Sequence, residues 1–340
     1  MSLLLLDKYR PRDFGSLDLH PETSSLLRKL TASSDFPHLL LYGPSGSGKK
    51  TRALAAIREL FGPGADKTKV ETRTLKAGST FVDVSVVSSS YHIELTPTDL
   101  GNKDAAVVQQ LIKETAQSPP PITTGRSFKV VLINDACNLS RQAQAGLRRT
   151  MEKYIGACRI ILIAESLSRL IAPVKSRCLC IRVGSPTVSE IERVLTEVVA
   201  AEGIRGSLPL GDIASSCSRD LRRALLMVDA ARLAPVPTVV RPPWEAYAAE
   251  IARDILAEQS PKQLLAVRGK LYDLLCACVP GEEIFKVVHS ALISNPRISM
   301  LKSNELTGLA AKFEHSMRLG TKPVLHLEGF CAKAMAVVRA

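Results

Sequence analysis

Seven consecutive residues near the start of the chain have the types and spacing of a phosphate-binding loop: Gly43, Pro44, Ser45, Gly46, Ser47, Gly48 and Lys49. Glycines let successive backbone N–H groups close around phosphate oxygens. A lysine in the last place reaches the outer phosphates. The same pattern then asks for a hydroxyl, which holds Mg²⁺ beside the nucleotide. Here Lys50 stands in that place and Thr51 follows it. A charged lysine cannot ligate a metal. The chain is therefore expected to bind ATP or ADP with an altered metal geometry, leaving Thr51 and Asp135 as the candidate Mg²⁺ donors. Asp135 closes an apolar run, where a loop of this kind needs an acid to order magnesium and water. Ahead of the loop stand Tyr9, Arg10 and Pro11. An aromatic and an arginine there either cover a purine base or join a surface ion-pair cluster.

The loop works only between a strand and a helix, and its flanks supply both. The apolar stretch 38–42 predicts a buried parallel strand. The stretch 51–60 predicts an amphipathic helix, whose N-terminus adds partial positive charge behind the phosphates. Apolar runs at 128–134, 159–164 and 178–183 predict three more buried strands, and helical spacing appears at 20–31, 103–117 and 140–152. Ser140 is placed to cap the last of these, and Asn102 or Asp104 to cap 103–117. Lys103, at the start of a helix after a turn, is either a phosphate contact or a solvated lysine. Two β-branched runs, 70–75 and 81–95, predict an edge hairpin whose second arm continues into a core strand. Strands alternating with helices define an α/β fold around a parallel sheet covered on both faces.

The texture changes at Gly184, Ser185 and Pro186. Helical patterns follow at 188–202, 208–217 and 219–232, then a proline-rich break at 235–243. Five more helical patterns occupy 245–258, 261–278, 281–294, 303–319 and 323–339. The chain has 340 residues, enough for two or three domains. With 45 Lys and Arg against 33 Asp and Glu, its net charge of +12 favours a polyanionic partner such as nucleic acid, or marks a merely basic soluble protein. No apolar run approaches a membrane span, so no membrane partner is expected. The pairs Cys178/Cys180 and Cys276/Cys278 are C-x-C, without C-x-x-C. They are read as packing residues in a reduced, intracellular protein without structural zinc.

Six stretches together resemble the small subunits of replication factor C, the eukaryotic sliding-clamp loader, within the AAA+ ATPases. They are DKYRP at 7–11, FPHLLLYGPSGSGKKTR at 36–52, FKVVLI at 128–133, LRRTMEKY at 147–154, SRC at 176–178 and DLRRALL at 220–226. RGKLYDLL at 268–275 extends the resemblance to the C-terminal part. It implies an AAA+ nucleotide-binding domain over 1–183, a small helical lid over 184–236 and an all-α collar that mediates oligomerisation over 237–340. It also implies a nuclear heteropentamer that uses ATP to open the sliding clamp, proliferating cell nuclear antigen, and place it on primer–template DNA. Tyr9, Arg10 and Pro11 would then lie by the adenine, the residues from Gly43 to Thr51 would hold the phosphates, and Arg222 would be the lid's sensor arginine. Arg177 would be an arginine finger, acting on ATP bound by a neighbouring subunit.

The departures from the family pattern fall on one function. Asn134 stands where the magnesium-ordering Asp belongs, Asp135 where the catalytic Glu belongs, and Cys137 replaces a further acid. A one-place slip would let Asp135 serve the metal, but then no base remains. Glu165 replaces a polar sensor Asn, and a glutamate facing the γ-phosphate repels it. With Lys50, these changes predict binding without hydrolysis. A self-sufficient AAA+ motor and a non-catalytic DNA-binding scaffold are the two alternatives; bound nucleotide without turnover separates the first reading from both.

Overall fold

The computed structural model describes residues 4–33, 35–77, 80–97, 103–118, 126–204, 208–234 and 239–339. The chain divides into two compact units, Met1–Val239 and Val240–Ala340.

The first unit is built on one seven-stranded sheet in the order β2-β3-β4-β5-β6-β1-β7. The strands are β1 (Leu39–Tyr42), β2 (Lys69–Ala77), β3 (Thr80–Ser88), β4 (His92–Leu95), β5 (Lys129–Ile133), β6 (Cys158–Ala164) and β7 (Leu179–Arg182). Strands β4, β5, β6, β1 and β7 run parallel, while β2 and β3 add an antiparallel hairpin at one edge. The central strands β1, β5 and β6 are largely apolar because helices cover both faces, while β4 carries His92 and Glu94 and the edge strand β7 is mostly exposed. Period-two alternation sorts their side chains. Leu40, Val131, Ile133, Ile160 and Leu162 pack toward α4 (Asp104–Gln117) and α5 (Arg141–Lys153). Leu39, Leu41, Val130, Leu132 and Ile161 pack toward α2 (Pro21–Ala32) and α3 (Lys49–Phe61).

Two local expectations change. The run 81–95 is not one continuous arm: β3 and β4 pair antiparallel about a tight turn. The Ser89 hydroxyl makes that turn by accepting from the backbone N–H groups of Tyr91 and His92. Nor does Asp104 cap its own helix. Its carboxylate accepts from the Ser140 backbone N–H at 2.6 Å and hydroxyl at 2.9 Å, tying the start of α4 to the start of α5. Ser140 itself caps α5 by accepting from Ala143. Asn102, the other candidate cap, lies outside the described residues, as do parts of the turn at 96–99, the loop at 118–125 and the break at 235–243. Lys103 takes the N-cap place of α4 with an exposed side chain.

After β7 the first unit continues as α7 (Val188–Glu202), α8 (Leu210–Ser216) and α9 (Leu221–Leu233). Thr187 and Glu190 form a reciprocal capping box at the start of α7. Ile191, Leu195, Ile213, Ala224 and Val228 form a separate small core. Leu5 of the short helix α1 (Leu5–Lys8) packs into it and donates its backbone N–H to Asp229 at 2.9 Å. The N-terminal segment is thereby fastened to the helices that follow the sheet. Between β6 and β7 lies the short helix α6 (Ala172–Lys175).

The second unit is helical over its described residues: α10 (Pro243–Ala257), α11 (Pro261–Cys276), α12 (Gly281–Ile293), α13 (Met300–Leu319) and α14 (Pro323–Arg339). One core joins them, with Ile251, Leu271, Phe285, Leu306 and Phe330 among its buried residues. All eight cysteines are free. Burial pushes the Cys178 thiol up to about 12, which suits a packing role. Among the described residues no helix is long and apolar enough to cross a membrane, and no group of three or more His, Cys, Asp or Glu side chains is placed to hold a metal.

Candidate nucleotide-binding site

The loop begins where β1 ends and closes where α3 starts. Its backbone is specified by glycine. Gly46 has φ +66°, and a Cβ there would collide with the Asp220 carboxylate. Gly43 has φ +151°, and a Cβ there would press on the Val183 carbonyl. Strand end, loop and the start of α9 therefore meet with no space for a side chain. The Lys49 ammonium donates to the carbonyls of Gly43 at 2.7 Å and Pro44 at 2.6 Å, and the residue is only 8% exposed. Burial lowers its pKa; Glu165 and Asp135 oppose that effect, and Arg222 adds to it.

Three recesses run together along this loop. The first, of about 330 Å³, is walled by Tyr9, Leu17, Leu19, Val194, Val198 and Leu221. The second, of about 200 Å³, shares Tyr9 and Leu221 and adds Pro11, Leu225 and Arg222. The third, of about 270 Å³, is the polar end. There Ser45, Gly46, Gly48, Lys49, Lys50 and Thr51 face Arg10, Asn134, Asp135, Glu165 and Arg222. An apolar slot that opens onto a cationic loop matches a nucleotide, with its base in the slot and its phosphates on the loop. The structure thus gathers Tyr9, Arg10, Pro11, the loop, Thr51, Asp135 and Arg222 at one place. Pro44 lends its carbonyl to Lys49 and to the Ser47 hydroxyl rather than facing the recess.

Arg177 lies elsewhere, between α6 and β7, and lines none of these recesses. Its guanidinium donates through Nε to Glu152 of α5 at 2.6 Å and through Nη1 to the Pro173 carbonyl at 2.9 Å; Nη2 also pairs with Glu152. Two contacts on one carboxylate fix a planar guanidinium in direction as well as position. The side chain remains 29% exposed.

The metal side of the polar recess departs from what magnesium needs. The Lys50 ammonium sits 2.6 Å from Glu94, whose side chain is 7% exposed. Burial alone would raise the Glu94 carboxyl, but His92 at 3.7 Å and Lys50 outweigh it and hold it down at about 2. Glu94 is thus a carboxylate already committed to an ammonium. β5 ends at Ile133, and Asn134, an amide, follows with its N–H on the Leu95 carbonyl. Asp135 is exposed and holds a left-handed backbone, φ +46°. Thr51 stands one place beyond the hydroxyl position. Asp135 and Glu165 are the carboxylates the recess retains, while a neutral amide, a displaced hydroxyl and a resident ammonium stand where the loop's usual metal donors would be.

Four residues of the neighbourhood were not among the predicted site residues. Arg52 is 1% exposed and donates to the Leu19 carbonyl at 2.5 Å and the Ser47 carbonyl at 3.1 Å, clamping the N-terminal segment to the loop. Burial lowers its pKa to about 10. Its signal is visible in retrospect as a charged residue on the inward face of α3. Asp220, which caps α9 through the Arg223 N–H, abuts Gly46. Glu94 and Glu152 come to Lys50 and Arg177 through the sheet and the α5 packing, from positions no local pattern connects.

A phosphate loop between β1 and α3 of a largely parallel sheet, followed by a small helical bundle that brings Arg222 to the same recess, defines a nucleotide-binding protein of the AAA+ class. The chain belongs to the replication factor C subunit family. It is 43% identical over 344 residues to replication factor C subunit 3 of Homo sapiens, covering 99% of this chain and 96% of that one. It is 44% identical to replication factor C subunit 5 of Neurospora crassa, covering 98% and 97%. Residues 244–340 match the family described as "Replication factor C subunit 3, C-terminal domain", and residues 19–187 the family described as "DNA polymerase III, delta subunit". Among solved structures, a point mutant of Thermotoga maritima RuvB superposes with TM-score 0.52 at 14% identity, covering 79% of this chain and 88% of that one. A DNA polymerase III gamma-subunit-related protein of Thermotoga maritima gives TM-score 0.50 at 15% identity, covering 93% and 99%. At these identities the structural likeness shows the fold.

Proposed function

We propose that this chain is one subunit of a heteropentameric, nuclear clamp loader that uses ATP to open the sliding clamp, proliferating cell nuclear antigen, and load it on primer–template DNA. Its own site binds ATP or ADP without turning it over, and Arg177 completes the site of a neighbouring subunit. Residues 1–183 are the nucleotide-binding domain, 184–236 the lid and 237–340 the collar through which it joins the other replication factor C subunits. The net charge of +12 suits a sequence-independent hold on DNA phosphates.

One observation carries the reading of the site. A complete phosphate loop, with its lysine buried and ready, adjoins a hydroxyl position filled by Lys50, which is already paired with Glu94. Everything that grips phosphate is present, and the parts that would order a metal and an attacking water are replaced. The test is the nucleotide content of the purified full chain, extracted and resolved by anion-exchange chromatography. Wild-type chain is expected to carry ADP or ATP, and Lys49→Ala to lose at least roughly nine-tenths of it, as removal of a charged hydrogen-bond donor to phosphate implies. Equal content in both chains, or none in wild type at saturating nucleotide, would show that the loop is not the binding site.

A further inference from the structure

The mismatch between this site and magnesium has a positive side. Lys50 lies on the first turn of α3 and lines both the second and the third recess, so the residue borders the apolar slot and the phosphate end alike. Glu94 holds it there from beneath, as a buried carboxylate at 2.6 Å. The wall of the polar recess carries four cations, Arg10, Lys49, Lys50 and Arg222, against two acids, Asp135 and Glu165, with Glu94 behind Lys50 as a third. The fixed charge remains positive and offsets part of a bound diphosphate's charge, and a divalent cation placed beside the Lys50 ammonium would meet repulsion in a partly desolvated place.

We propose that this site takes its nucleotide free of metal, with the Lys50 ammonium serving as the built-in counter-cation and Glu94 as its tether. The inference rests on the nucleotide reading above and deepens it: the ligand class is the metal-free nucleoside di- or triphosphate rather than its magnesium complex. The chemistry is consistent from both directions. With one N–H spent on Glu94, the ammonium keeps two donors for phosphate oxygens in place of the one oxygen–metal contact a hydroxyl would support. As a single positive charge with no open coordination position it cannot polarise a water as a dication does, so binding is kept while the route to transfer is lost. Glu94 has a second effect. By anchoring the ammonium it limits the rotamer entropy lost when phosphate arrives.

The test is a pair of titrations of the full wild-type chain with ADP and with ATP, one series in excess Mg²⁺ and one in EDTA, read by calorimetry. ATP, and more weakly ADP, is expected to bind with a dissociation constant roughly tenfold or more higher in excess Mg²⁺ than in EDTA, since the metal sequesters the free form that the site takes. Lys50→Thr, which restores the hydroxyl, is expected to weaken binding in EDTA by roughly tenfold or more and to leave it dependent on Mg²⁺. Glu94→Gln, which keeps shape and removes the tether's charge, is expected to weaken binding in both series by a smaller, equal factor. Wild-type binding as tight with Mg²⁺ as in EDTA, or tighter, would overturn the inference and leave the nucleotide reading standing. Absence of saturable binding in both series would overturn the nucleotide reading and the inference with it. The wild-type comparison decides the matter without either variant.

Discussion

Arg177→Ala in a reconstituted replication factor C complex is expected to lower turnover at the neighbouring site it is proposed to complete by roughly a thousandfold, the scale on which arginines supplied from outside a phosphoryl-transfer site act. Measured on the whole complex as DNA- and clamp-stimulated ATPase, the loss is limited to that one site's share. The reason lies in where the guanidinium is held. It lines none of the recesses of its own chain, and Glu152 and the Pro173 carbonyl take its inner donors while the side chain stays 29% exposed. A partly exposed guanidinium held in direction outside the recesses of its own chain is what the proposed role in a neighbouring site requires. Arg177→Lys is expected to rescue little, because an ammonium cannot make the forked contact. Glu152→Gln keeps Arg177 and loosens its anchor, so an intermediate loss is expected. Assembly of each variant complex is checked first by gel filtration. Wild-type turnover from a fully assembled Arg177→Ala complex would remove the trans-acting role.

A chain ending at residue 239 is expected to retain nucleotide binding and to lose incorporation into the complex altogether. All the residues gathered at the recess, from Tyr9 to Arg222, lie within the unit Met1–Val239, which has its own cores. The removed unit, Val240–Ala340, supplies five helices around a separate core. Several of its large apolar side chains are exposed, among them Leu265, Tyr272 and Leu325. The measurement is co-purification of tagged full-length and truncated chains with the other subunits, with circular dichroism to show that the shortened chain is folded. Normal incorporation of the truncated chain would move the assembly surface into the first unit.

The parts of this site that were legible in the sequence are those fixed by local backbone chemistry. Glycines at 43, 46 and 48 beside Lys49 announce a phosphate loop because few other backbones tolerate those φ values. The apolar runs around them announce buried parallel strands because alternation is lost when both faces are covered. Lys50 was legible as a departure from pattern, but its partner was not. Glu94 sits on β4 within a run that read as one long arm, and only the Ser89 turn folds it back to put its carboxylate beneath Lys50. The Arg177–Glu152 pair links a loop to a helix 25 residues away in sequence, and neither residue's neighbours indicate the other. Asp104 illustrates the same limit: an acid at a helix start reads as a cap, yet tertiary packing gives it to Ser140. Spacing patterns register contacts within one element, and these contacts cross elements.

The division of labour between a site that holds nucleotide and an arginine that serves another site is tested most directly by steady-state ATP hydrolysis of the isolated, full-length chain with Mg²⁺ present, alongside its measured nucleotide occupancy. The expected result is an occupied site with no turnover above the protein-free control. Steady turnover that Lys49→Ala abolishes would contradict it.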